Sequence, residues 1–116
     1  MMRTGVDIIE IARIKKFVDE NINNLDRVFS AEEIAYCNSK KNKYENFAAR
    51  FAAKEAVIKA LDDKSLELKS ISVGNFETGK PYVCVNNSRY SHLENKISLA
   101  LSHCENYAVA FVVVEE

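Results

Sequence analysis

No stretch of this chain restricts its fold more than residues 44–61, which read as one long helix without a face made for water. Phe47, Phe51, Ile58 and Leu61 fall in one stripe about 80° wide, the expected contact with a core. Ala49, Ala53, Ala56 and Ala60 lie on the opposite side. A face of methyl groups is not a solvated face, and it lets another backbone approach closely. Arg50, Lys54, Glu55 and Lys59 must therefore find places on a helix packed on both sides. One reading is ordinary: Glu55 and Lys59 form an i,i+4 pair worth ~0.2–0.5 kcal/mol, while Lys54 and Arg50 lead their charges past the rings to solvent. The other starts from the cost of removing ions from water, several kcal/mol each unless partners compensate. On that reading the four charges line a cleft that holds an anion and a metal. Local charge favours it: residues 40–64 carry seven Lys/Arg against four Asp/Glu, a net of +3.

Over the whole chain that excess is cancelled, with 16 Lys+Arg against 17 Asp+Glu. The near-neutral sum argues against a general nucleic-acid binder. No apolar run approaches the ~20 residues of a membrane span, so no membrane partner is expected. The opening residues lack a signal core ending in a small-residue cleavage site. Cys37, Cys84 and Cys104 are an odd number without C-x-x-C spacing, which speaks against a disulfide framework or a zinc site and for a reducing cytoplasm. A length of 116 residues fits one domain, residues 1–116.

Around the central helix the pattern predicts an α+β fold, with helices packed on a small antiparallel sheet. Arg3 to Ile8 alternates as a short strand with Val6 and Ile8 facing inward and Asp7 on the other side. A helix from about Ile11 to Ile22 buries Ile11, Ile14, Phe17 and Val18. Ser30 and Glu33 form a capping-box pattern that starts a helix through about Ser39. Beyond Asp62 the strands follow: Ile71–Val73 and Pro81–Val85 as a hairpin about Thr78-Gly79-Lys80, then Ile97–Ser102. Tyr107–Val114 is apolar on both faces, as a central or interface strand would be.

Four segments in order now become recognisable: Gly5-Val6-Asp7-Ile8, Arg50-Phe51-Ala52-Ala53-Lys54-Glu55-Ala56, Gly79-Lys80-Pro81, and Ser102-His103-Cys104-Glu105-Asn106-Tyr107-Ala108. Together they resemble the holo-[acyl-carrier-protein] synthases of the 4′-phosphopantetheinyl transferase superfamily, over nearly the entire chain. The resemblance implies a Mg²⁺-dependent transfer of 4′-phosphopantetheine from coenzyme A (CoA) to a serine hydroxyl of apo-acyl carrier protein. The leaving product is 3′,5′-ADP. It also implies a homotrimer with a site at each subunit interface, for which the alanine face and the last strand would supply contacts.

On the matched positions, Asp7 and Glu55 resemble the two metal carboxylates; Mg²⁺ usually takes one or two carboxylates together with water and substrate phosphates. The alternative for Asp7 is a cap on the following helix. Lys54 and Lys59 match basic residues beside the pyrophosphate and the transferred group, and Arg50 resembles a residue that reaches the nucleotide phosphates. A surface pair of Arg50 with Glu45 is its plainer reading. Gly79, Lys80 and Pro81 look like the turn against the adenine and ribose end, or else simply a hairpin turn. Ser102 and His103 resemble a strand-end pair serving the neighbouring subunit's pocket. Glu55 would accept the serine proton directly, or a Mg²⁺-bound water would relay it; the residues do not choose. No cysteine matches a catalytic position.

Arg13 matches the main docking arginine for an acidic carrier, with Lys15 and Lys16 nearby. Two departures stand out. Glu20 and Asn21 replace further basic residues near the end of that helix, and Asp62-Asp63-Lys64-Ser65 replaces a Gly-Thr-Gly loop near the cofactor. They leave room for a rival: a non-catalytic trimeric module that binds CoA or a similar nucleotide. His92 matches nothing and is expected at the surface.

Overall fold

Because both flanks of the central helix need cover, the rest of the chain wraps it. A computed structural model describes residues 1–116. In chain order the elements are β1 (Met2–Glu10), α1 (Ile11–Glu20), α2 (Ala31–Asn38), α3 (Lys43–Leu61), β2 (Ile71–Asn75), β3 (Pro81–Val85), β4 (Ile97–His103) and β5 (Tyr107–Glu115). An antiparallel sheet of order β1-β5-β4 packs on one side of α3, and β2 and β3 form a separate antiparallel hairpin. The α+β architecture is as the pattern predicts, and the doubly apolar last strand is indeed the central one.

The alanine face finds its partner within the chain. Ala52, Ala53 and Ala56 of α3 and Ala108, Ala110, Val112 and Val114 of β5 are completely buried. Gly5 on β1 brings strand and helix into backbone contact: a Cβ there would lie 2.0 Å from the Ala56 carbonyl oxygen and 2.8 Å from the Ala60 nitrogen. This close approach sets the phase of β1 and overturns the expected one. Gly5 and Ile9 face α3, with Asp7 between them, whereas Val6 and Ile8 are 53% and 64% exposed. Alternation alone favoured the bulkier pair as inward; the sheet lies too near the helix to admit them. The alanine stripe is thus no subunit contact, and the outer sheet face, with Val6, Ile8, Tyr107 and Phe111, holds the uncovered apolar surface.

On the other side of α3, one carboxylate gathers three elements. The capping box forms as its pattern predicts: Ser30 Oγ accepts from the Glu33 N–H at 3.1 Å, and Glu33 Oε1 accepts from the Ser30 N–H at 2.8 Å. Glu33 does more than cap. Its side chain is fully buried, Oε1 also takes a 2.8 Å bond from Lys54 Nζ, and Oε2 accepts from the Val73 N–H at 2.9 Å. Lys54 Nζ donates further to the carbonyls of Leu68 and Ile71. Burial lowers the Lys54 pKa, and the Glu33 carboxylate opposes that shift. Neither snorkelling nor a ligand-facing cleft describes Lys54; it is an internal cation tying α3 to α2 and β2.

Two stability measurements follow from these contacts. Gly5→Ala should cost ~3 kcal/mol or more in urea unfolding, because its methyl meets backbone that has no softer place to go. Glu33→Gln should cost about 3–5 kcal/mol by orphaning Lys54, and adding Lys54→Met should recover most of that loss.

Candidate active site

Asp7 reaches the site because its neighbours are small. Gly5 seats β1 on α3, and Ala110 of β5 lies beside Asp7 in the ladder. The Asp7 side chain is 17% exposed, and its Oδ1 accepts a 2.9 Å bond from Lys59 Nζ. The same ammonium donates to the Val6 carbonyl at 2.9 Å. Lys59 therefore turns to β1 and forms no ion pair with Glu55, so the ordinary i,i+4 reading fails. Glu55 is half-buried one helical turn before Lys59, on the same side of α3. Asp7 does not cap α1; Glu10 occupies that cap position without a side-chain bond.

These groups offer two carboxylates from separate elements, with a cation bonded to one of them. No cluster of three or more acidic, His or Cys groups exists in the chain. The set therefore fits a hard cation that completes its shell with water and substrate oxygens, as Mg²⁺ does, and does not fit an all-protein cage. Cysteine chemistry is absent from this arrangement. Cys37 is buried, which pushes its thiol up to about 12, and Cys84 and Cys104 are free and exposed.

Arg50, one turn before Lys54, is only 2% exposed and does not pair with Glu45. Its guanidinium stacks on the Tyr36 ring at 4.1 Å and donates from Nη2 to Asn75 Oδ1 at 2.6 Å, while Nε has no partner. Arg50 is thus a second buried cation on α3 beside Lys54, but Glu33 pairs with Lys54 alone. Asn75 continues the chain, donating from Nδ2 to the Gly79 carbonyl at 2.9 Å. Gly79, at φ +91°, makes the hairpin turn that a residue with a Cβ would strain. Lys80 is exposed beyond it, and Lys80 and Pro81 border a groove of about 930 Å³ between β3 and β4.

Ser102 and His103 are exposed at the end of β4, and Ser102 points to the sheet face away from α3. One chain therefore joins Asp7 to Lys59 with Glu55 one turn back along α3, and separately links Arg50 to the Gly79 turn, but leaves Ser102 outside both. Arg13 is exposed on α1 and borders an apolar hollow with Ile9, Phe17 and Phe51. Lys15 and Lys16 are exposed nearby, Lys15 lying 3.5 Å from Asp19. His92 is at the surface, 3.6 Å from Glu116. The unusual Asp62–Ser65 segment is fastened through Asp63, which accepts from Ser65 and Tyr90 and pairs with Arg89 at 3.1 Å. The hydrogen bonds from Ser65 and Tyr90 hold its carboxyl at about 2.

Two residues escaped the reading of the sequence. Glu33 was visible only as a cap, since Lys54 and Val73 lie 21 and 40 positions away. Asn75 carried no signal beyond its place before a turn.

Known proteins resemble this chain over nearly its whole length. Residues 3–112 match the sequence model of the 4′-phosphopantetheinyl transferase superfamily. A holo-[acyl-carrier-protein] synthase from Cytophaga hutchinsonii is 42% identical over 118 residues, spanning 94% of this chain and 93% of the relative. Another, from Thermodesulfovibrio yellowstonii, is 46% identical over 112 residues and 95% of each chain. The Helicobacter pylori holo-[acyl-carrier-protein] synthase, solved in complex with coenzyme A, superposes with a TM-score of 0.83 at 32% identity, covering 97% of this chain and 99% of that one. The Bacillus anthracis synthase, solved in complex with CoA (3′,5′-ADP), gives 0.81 at 32% identity, covering 99% and 98%. Matched in sequence and in backbone from β1 to β5, the chain belongs to the 4′-phosphopantetheinyl transferase superfamily.

Proposed function

We infer that this chain is a holo-[acyl-carrier-protein] synthase, moving 4′-phosphopantetheine from CoA to a serine hydroxyl of apo-acyl carrier protein and releasing 3′,5′-ADP. The observation that carries the reading is the Asp7–Lys59 contact, with Glu55 one helical turn before Lys59, in a chain whose relatives bear that name. The serine oxygen forms a bond to the phosphorus that carries pantetheine, and the bond from that phosphorus to the ADP oxygen breaks. Asp7 and Glu55 would hold Mg²⁺, which when bound supplies positive charge to the pyrophosphate oxygens. Glu55 makes no ion pair within the chain, and on this reading it would take the serine proton, directly or through a relaying water. Lys59 holds Asp7 and sets its ammonium where charge develops on the phosphate. Gly79, Lys80 and Pro81 receive the nucleotide end of CoA, with Arg50 behind them.

Lys54 takes no part in holding CoA on this reading, since all its bonds are internal. Arg13, Lys15 and Lys16 present a basic face of α1 to the acidic carrier. The sheet's outer face, with Val6 and Ile8 of β1 beside Tyr107 and Phe111 of β5, closes against two further copies in a homotrimer. Ser102 and His103 at its edge then serve a neighbour's pocket. No helix is long and apolar enough to cross a membrane, and the proposed setting is the cytoplasm.

Incubating the chain with CoA, Mg²⁺ and an apo-carrier should add the pantetheine mass to the carrier in intact-protein mass spectrometry. Asp7→Ala and Glu55→Ala should each slow this by at least about 100-fold without unfolding the protein. Modification at the native rate in either variant would sink the assignment. For the assembly, sedimentation should give a trimer, and Phe111→Glu should yield smaller species with little activity.

A further inference from the structure

The hairpin β2–β3 shares no ladder with the main sheet, so its place relative to α3 depends on side-chain contacts. Those contacts fall on alternate residues of β2. Ile71 accepts from Lys54, Val73 donates to Glu33, and Asn75 accepts from Arg50. The first two end inside the fold. Asn75 differs, because its amide is used at both ends: Oδ1 receives Arg50 at 2.6 Å, and Nδ2 is given to the Gly79 carbonyl at 2.9 Å. Arg50 cannot easily turn elsewhere, since it is buried and stacked on Tyr36. The position of the Gly79-Lys80-Pro81 turn is thereby referred to α3, the helix that carries Glu55 and Lys59.

We propose that Asn75 is a positioning residue for the donor: by bridging Arg50 to the Gly79 carbonyl, it fixes where the Gly79-Lys80-Pro81 turn stands relative to the carboxylates. The inference rests on the transferase reading above, in which that turn belongs to the CoA site. An asparagine is the side chain the bridge requires. One end must accept from a guanidinium and the other must donate to a carbonyl, which an ionised aspartate cannot do. The half-buried location of Asn75 means that truncation removes the bridge without opening the core.

The test compares native chain, Asn75→Ala and Asn75→Asp in steady-state kinetics with CoA and apo-carrier, alongside calorimetric titration with CoA alone. Both variants should unfold cooperatively and raise KM for CoA about tenfold, with kcat within about twofold and KM for the carrier unchanged. Calorimetry should show the same weakening of CoA binding. A contact that served only stability would lower the unfolding midpoint and leave KM for CoA at its native value, and that outcome overturns the proposal. So does native behaviour in Asn75→Asp, because it keeps the Arg50 contact and loses only the bond to Gly79. A native chain that binds CoA yet modifies no carrier would defeat the transferase reading instead, while the calorimetric comparison would still decide the role of Asn75.

Discussion

The contact of Gly5 with Ala56 and Ala60 governs the rest of the molecule. A strand lying directly on a helix backbone leaves no space for side chains larger than methyl between them. The alanines of α3 and β5 are the consequence, and so is the phase of β1. Since successive strand residues alternate between faces, choosing Gly5 as the inward residue also chooses Asp7. The carboxylate is thus brought to α3 by the same constraint that holds the sheet to the helix, and Lys59 meets it there.

The opposite flank of α3 is organised by charge. Glu33, Lys54 and Arg50 are buried, and their bonds run to the backbone or side chains of β2 and to the cap of α2. Desolvation makes such groups costly when unpaired, and apart from Arg50 Nε they are answered by donors or acceptors of fixed position. One flank accordingly positions a strand through close packing, and the other positions a hairpin through directional bonds. Glu55 lies between them on the helix common to both, at a place where neither packing nor pairing has claimed it.

Two features of α3 show how far the residues were legible. Its lack of a water face, its alanine stripe and its need of compensating partners were all visible in a stretch of fifteen residues, because helical spacing is local. Which charge went inward was not visible. Lys54 and Lys59 have the same chemistry, and five positions separate them; only Glu33 and Asp7, brought from distant parts of the chain, distinguish an internal cation from one that meets β1 at the surface. Arg50 was read as reaching a ligand or the surface, and instead it lies under Tyr36 with Asn75 as its partner.

The sequence alone therefore determined the elements, their order, the antiparallel class and the motifs at which carboxylates and lysines occur. The elements follow from periodicity over a few residues, and the motifs from their resemblance to a known family. The tertiary structure decided the face on which β1 presents Asp7, the burial of Lys54, the bridge through Asn75 and the separation of Ser102 from the Asp7 site. These depend on contacts between residues far apart in the chain. A strand's alternation supplies two possible faces, and the thickness of the gap beside it selects one.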